Sequence, residues 1–494
     1  MKQILKKLFA HNESVSFKTK VKRGAFWTVG ITVWTRILGI IASIIITRQL
    51  SPEDFGLMAI ASSIVAITTG ITATGFNTAI IQKQINPDIL LDSAWTMELM
   101  KGLTLSIIIY ITAPYVANYF SDLRLIPMLR ILGLTFAIKG VENVGVIWFR
   151  KNLDLKKEFI FNAIPESIYF ILVITLAFSL KSVWALIIAT VLGVIIKTVL
   201  SYFIHPYRPK VEINYEHFKE LLAFGKWILG GSIAVMLRNH GISLFIARYY
   251  NTGILGSYNR GEVFSRKIFD EITRTLWKVG FPAFSMLSRD IPRFRKIFLT
   301  TLKMITVLGF PMTIGLFVLS SEITVFVLTE KWISIVPLLQ LFSLSAITGF
   351  IQTPVGISFQ SMGKPAINTK LALINMILLL VLIYPISIKY GVQGIILASI
   401  ISNLVIFPIG WVNISNSLKI GFKEFVLSFL PQLLYSVLMG AIIYQLKASL
   451  YRINSLSDLI IYILIGVLIY TIILLVSDRY LKTNYRDTMF ILLR

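Results

Sequence analysis

The chain has 494 residues, 56% of them hydrophobic, and a mean hydropathy of +0.77, too apolar for a soluble globular protein, where about 45 to 50% is usual. Its formal charge of +24 does not imply a nucleic-acid partner, because Lys and Arg concentrate in the short loops on one side of a polytopic membrane protein. The absence of cysteine excludes disulfides, thiolate metal sites and a cysteine nucleophile, and the four scattered histidines offer no paired metal-ligand spacing.

In chain order, residues 1–24 form a basic leader with Lys2, Lys6, Lys7, Lys18, Lys20, Lys22 and Arg23. No small-residue cleavage site follows it, so it reads as a retained cytoplasmic segment. Stretches of roughly 20 apolar residues, enough to cross a bilayer, then fall at about 25–46, 56–76, 94–118, 125–147, 159–179 and 182–204. Residues 205–225 break the pattern with Pro206, Pro209 and the amphipathic NYEHFKELLAFG, a connector that ends in an interfacial helix. Further spans are predicted at about 226–248, 254–282, 297–319, 334–358, 366–388, 392–413, 425–446 and 459–477, giving an all-α protein of about 14 transmembrane helices. The leader, even loops and tail hold 28 Lys and Arg and the odd loops 8, which places both termini in the cytoplasm.

The two halves echo each other. Arg36 lies near the middle of the first span and Arg238 near the middle of the seventh, and Arg48 precedes Gly56 by the same spacing as Arg248 precedes Gly256. Ile126-Pro127-Met128-Leu129 opens the fourth span and Val336-Pro337-Leu338-Leu339 the tenth. Six spans duplicated, with two appended, account for this order. The expected organisation is therefore the leader, an N-terminal lobe at 25–204, the connector at 205–225, a C-terminal lobe at 226–413, and residues 414–494 carrying the last two spans and a cytoplasmic tail. An even-numbered repeat keeps both halves in the same orientation, and sites in such folds lie between the halves near the midplane.

Charges inside the spans are the candidate functional groups, since an arginine at the bilayer centre costs roughly 2.5 to 3.5 kcal/mol on insertion scales. Arg36 and Arg238 lie about ten residues from either end of their spans, too deep to snorkel, and either line a cavity or pair with a buried carboxylate. The eighth span carries Arg260, Glu262, Arg266, Lys267, Asp270, Glu271, Arg274 and Lys278. Its opposite charges stand four apart, within side-chain reach on one helix, and a charged helix of this kind lines water. Lys139, Glu142 and Glu166 are also placed within spans. Each carboxylate is a candidate to take up a proton or Na⁺, as is Asp270, while Glu142 also has the simpler role of neutralising Lys139. Arg130, Lys197 and Lys303 lie close enough to span ends to snorkel, and Glu98 with Lys101 suits a local ion pair. Spans ten to fourteen hold no ionisable residue beyond their ends, so a basic cavity bounded by the first eight spans, with an anionic ligand, is expected.

RGAFWTVG after the leader, RQLSPEDFG at Arg48 to Gly56, FPAFS at Phe281 to Ser285 and GKPAINTKLALIN at Gly363 to Asn375 resemble the polysaccharide-exporter branch of the MOP superfamily. The likeness is to Wzx-type flippases of the colanic-acid or teichuronic-acid kind, and it runs along essentially the whole chain. It implies two six-helix lobes facing each other as a V, with two additional C-terminal helices and with spans one, two, seven and eight lining the cavity. The implied substrate is an undecaprenyl-pyrophosphate-linked oligosaccharide, moved between leaflets of a bacterial cytoplasmic membrane by alternating access for cell-surface polysaccharide synthesis. The implied partners are this lipid-linked glycan, membrane lipids and a polysaccharide polymerase machinery. No catalytic residue, metal or cofactor is expected beyond H⁺ or Na⁺ coupling. On this likeness Arg36, Arg238, Arg266, Arg274 and Lys278 fall on cavity helices, and Lys139 joins them as a base in the same region. A cation-coupled multidrug efflux pump and a peptidoglycan-precursor flippase are the alternatives within the superfamily. A membrane glycosyltransferase would want a DxD motif on a sizeable loop, and the sequence contains none.

Overall fold

A computed structural model describes residues 17–71, 88–151, 154–213, 236, 240–449 and 452–481. The leader before Phe17, Arg238, the amphipathic end of the connector and the tail beyond Leu481 lie outside these residues. The described chain is mostly helical, with no strand among the described residues, and divides into two compact units, Met1–Gly256 and Ser257–Arg494.

The first unit contains α1 (Phe17–Gln49), α2 (Pro52–Ile71), α3 (Asp88–Tyr119), α4 (Leu125–Gly140), α5 (Leu155–Leu180) and α6 (Trp184–Ile204). The turn between α1 and α2 follows from RQLSPEDFG. Pro52 opens α2, where a missing N–H costs nothing. The Ser51 hydroxyl donates to Asp54 at 2.7 Å and in turn accepts from the Asp54 N–H at 3.2 Å, closing the helix start. The second Asp54 oxygen accepts from the Val183 N–H at 2.9 Å, at the head of α6, and Glu53 receives Arg124 at 2.6 Å, at the head of α4. One short segment thereby ties the starts of three helices.

Small residues let the helices of this unit approach closely, as membrane packing requires. A Cβ on Gly102 of α3 would lie 2.4 Å from the Phe136 carbonyl of α4, and one on Gly140 would lie 2.8 Å from the Glu98 carbonyl. α1 packs along α5, with Gly39 against Phe170 and the Trp34 indole donating to Ser167 at 2.9 Å. Pro165 sits inside α5 without ending it, so it frees backbone groups only locally and does not break the helix.

α4 is shorter than its predicted span. Its 16 residues reach about 24 Å, and a 3₁₀ turn at Val144–Val146 follows, capped by the Asn143 side chain, which accepts from the Gly145 N–H at 2.9 Å. The connector also begins differently from a simple break. Residues 205–213 run extended along the start of α3, with the Tyr207 hydroxyl on Asp92 and the Lys210 N–H on the same carboxylate at 2.9 Å. The Ser93 hydroxyl donates to Glu212 at 2.7 Å. Burial, with Asp92 alongside, pushes the Tyr207 phenol well above its ordinary pKa.

α7 (Thr252–Met286) begins in the first unit and continues into the second. The second unit adds α8 (Ile291–Val318), α9 (Val336–Ser361), α10 (Pro365–Leu418), α11 (Phe422–Leu427), α12 (Leu430–Ser449) and α13 (Leu456–Leu481). A straight helix of 54 residues would reach about 81 Å, far more than a bilayer. α10 instead turns back at Gly391, whose φ of 61° and ψ of −148° are open to glycine and strained for other residues. The reversal brings Gly394 against the Ile386 carbonyl and lets Asn375 donate to Asn403 at 2.9 Å, so α10 supplies two antiparallel spans. Among the described residues eight helices, α10 included, are long and apolar enough to cross a membrane by length and composition. α8 is the most enclosed of them and packs on α9 and α12. An aromatic core forms around its first half, from Phe294, Phe298, Phe310, Phe350, Phe359, Phe425 and Phe429.

Candidate functional site

The second unit's charged face is built on α7. Its inward side carries Gly261 against Leu338 and Phe342, Tyr258 edge-on to Phe342, Phe269 edge-on to Phe350, and Gly280 near Ile357, so this side lies on α9. The opposite side carries Arg266, Arg274 and Lys278, all exposed. Spacings of eight and four residues keep these three bases on one stripe, about 18 Å long from Arg266 to Lys278. Two of the expected intrahelical pairs form: Arg266 donates to Glu262 at 2.9 Å, and Arg274 stands 3.9 Å from Asp270. The arginines remain 52% and 57% exposed despite these partners. Lys267, one residue from Arg266, turns the other way, half-buried over the Phe264 ring.

A stripe of this kind cannot face hydrocarbon. Exposed bases along such a helix face water or a polar ligand, and the guanidinium forks of Arg266 and Arg274 suit oxyanions that accept two bonds at once.

In the first unit Arg36 is half-buried on α1, one half-turn from Trp34 at the α5 contact. Glu166 on α5 is exposed. Lys139 and Glu142 do come together, but differently from the sequence expectation: Lys139 lies in the last turn of α4, whereas Glu142 stands past the helix end in the turn before Val144–Val146. They line a cavity of about 300 Å³ with Glu98, Glu158, Asn162 and Lys197. Lys197 does not snorkel outward. It donates to Asn162 at 3.4 Å and lies 5.0 Å over the Phe161 ring. Glu98 pairs with Lys101 one turn along α3 while also lining this cavity. Arg130 stacks over Tyr110, 4.3 Å from the ring centre. His240 shares a 3.3 Å contact with the Ser63 hydroxyl of α2.

The network of Asp92, Tyr207 and Glu212 was missed in the sequence. Its signal was weak, a pair of acids before one span and a tyrosine between prolines, and only packing joins them.

The helical fold defines a class: a multi-pass membrane protein with the architecture of the MOP transporters. Among solved structures, the lipid II flippase MurJ in an inward closed conformation superposes with a TM-score of 0.75 at 20% identity, over 92% of this chain and 99% of that one. An inward-facing multidrug resistance MATE family transporter gives 0.61 at 15% identity, over 77% and 95%. The chain belongs to the polysaccharide biosynthesis protein family, which it matches over residues 45–337. Curated relatives include the lipopolysaccharide biosynthesis protein WzxC of Escherichia coli, 24% identical over 87% of this chain and 89% of that one. The succinoglycan biosynthesis transport protein ExoT of Rhizobium meliloti is 22% identical over 96% of both chains. The teichuronic acid biosynthesis protein TuaB of Bacillus subtilis is 22% identical over 71% and 73%.

Proposed function

We propose that this protein is a flippase rather than an enzyme, moving undecaprenyl-pyrophosphate-linked oligosaccharide units from the inner to the outer leaflet of a bacterial cytoplasmic membrane by alternating access, for cell-surface polysaccharide synthesis. The observation that carries this reading is the exposed stripe of Arg266, Arg274 and Lys278 along α7, a helix the sequence places across the membrane. A pyrophosphate needs concentrated positive charge, and the attached glycan needs water around it. The family match and the relatives named for polysaccharide biosynthesis and transport support the same substrate class. On this reading Arg36, Arg238 and Lys139 add to the cationic lining contributed by the first half of the chain. Glu142, Glu166 and Asp270 are the groups proposed to couple transport to H⁺ or Na⁺. The translocated unit would pass to polymerase machinery on the far side, with both termini on the cytoplasmic side.

A small-drug efflux pump taking cationic compounds would want an acidic lining, which the α7 stripe opposes. Deleting the gene and identifying accumulated lipid-linked glycans by mass spectrometry tests the proposal. An undecaprenyl-linked repeat unit should build up on the cytoplasmic side; no accumulation, or rescue of cells depleted of their peptidoglycan-precursor flippase, would redirect the assignment.

A further inference from the structure

A second polar cavity, of about 640 Å³, lies in the second unit between the start of α8 and the α11 turn, away from the α7 stripe. Its size is that of a small-ligand pocket. It is lined by Arg295, Leu299, Thr300 and Lys303 of α8 and by Gly421, Lys423, Glu424, Leu427 and Ser428 around α11.

The chain places this cavity at the membrane surface. α10 ends at Leu418, and the short α11 (Phe422–Leu427) stands at the start of the apolar stretch Phe422–Ser449 that continues through α12, where the chain turns from one candidate span into the next. Phe425 and Phe429 anchor it in the aromatic core, Phe425 stacking on Phe298. At the two ends of α11 Phe422 remains 59% and Leu427 53% exposed, with the exposed Lys423 next to Phe422. Apolar side chains at the rim with a lysine among them are the pattern of a surface that meets lipid.

The electrostatics select the ligand. The Arg295 guanidinium grips Glu424 through both carboxylate oxygens, one contact being 3.2 Å from Nε, which fixes α11 on α8. Lys303 stands two turns further along α8 on the same face, about 12 Å from Arg295, and Asp478 of α13 acts on it. Three bases against Glu424 and Asp478 leave one positive charge in excess. That balance suits a phosphodiester monoanion, reached by Lys423 from the rim and Lys303 from within, with the Thr300 hydroxyl between them.

We infer that this cavity holds the headgroup of an anionic phospholipid of the surrounding bilayer, with its acyl chains leaving over Leu427 and Phe422. A soluble phosphate ester shares the charge but would leave the apolar rim unused.

The test is native mass spectrometry of the purified full-length protein titrated with dioctanoyl-phosphatidylglycerol, dioctanoyl-phosphatidylcholine or glycerol-1-phosphate. The wild type should hold one phosphatidylglycerol in preference to the other two ligands. Lys303→Gln combined with Lys423→Gln should weaken that binding at least about tenfold. Lys423→Gln alone, at an exposed position, should weaken it part of the way with thermal unfolding unchanged, and Lys296→Gln, exposed on α8 outside the cavity, should leave it intact. Equal binding of the two lipids, undiminished binding in the double variant, or glycerol-1-phosphate binding as tightly as the lipid would overturn the assignment. The assay reads lipid binding alone, so its outcome is independent of the transported substrate.

Discussion

Gly56 of α2 and Gly256 of α7 face each other across a backbone contact in the first unit. A Cβ on Gly56 would stand 1.8 Å from the Thr252 carbonyl oxygen, and a Cβ on Gly256 would stand 1.7 Å from the Pro52 carbonyl oxygen. Each glycine thus makes room for the first turn of the other helix, and the matched spacings Arg48 to Gly56 and Arg248 to Gly256 meet at one crossing.

Gly56→Ala or Gly256→Ala forces two backbones apart, since a carbonyl cannot swing aside as a side chain can. Overpacking of this kind costs about 1 to 3 kcal/mol. Thermal unfolding of the purified variants should show the loss, whereas Gly241→Ala, with nothing within 4 Å of its added methyl, should match the wild type. Unchanged melting of both crossing variants would contradict the contact.

The cluster of Asp122, Arg124 and Glu53 gives a pH dependence with a definite sign. The Arg124 side-chain hydrogen bond holds the Asp122 carboxyl below its ordinary pKa, against the opposing effect of burial. A carboxylate depressed in the folded state stabilises the protein fully above its unfolded pKa, about 3.9, and loses that contribution as pH falls through the lower folded value. Melting curves between roughly pH 5 and pH 2 should show a smaller acid-side loss for Asp122→Asn than for the wild type. Parallel curves would remove Asp122 from the account.

The sequence places Arg36 and Arg238 at equivalent depths of two predicted spans, and the proposed function gives both to the cationic lining. Arg36→Ala and Arg238→Ala should each abolish polysaccharide export with the amount of protein in the membrane unchanged. Full export by both variants, measured as surface polysaccharide in a complemented deletion strain, would sink that role.

Much of this architecture was legible because it depends on local pattern. Apolar length marked the spans, Pro52 with Asp54 marked the start of α2, and four-residue spacing anticipated the Glu262–Arg266 and Asp270–Arg274 pairs. What escaped depends on tertiary packing. Hydropathy continues past Gly140, so nothing local announces that α4 stops there and leaves Glu142 in a turn. Lys197 sits at a depth compatible with snorkelling, and only Asn162 and Phe161, more than thirty residues away in sequence, turn it inward. The extended segment at 205–213 contains residues that fit a loop anywhere, and its partners Asp92 and Ser93 lie more than a hundred residues earlier. Pro165 illustrates the reverse case, a strong local breaker that α5 absorbs through its contacts with α1 and α6.

The stripe on α7 carries the functional reading, and neutralising it without changing its shape tests that reading most directly. A variant with Arg266→Gln, Arg274→Gln and Lys278→Gln keeps long polar side chains on a face that α9 does not cover, so folding should survive. Expressed in the deletion strain at wild-type abundance, it should fail to restore surface polysaccharide, and the lipid-linked repeat unit should accumulate on the cytoplasmic side. Restoration of export to the wild-type level would contradict a phosphate-binding role for the stripe and the flippase mechanism built on it.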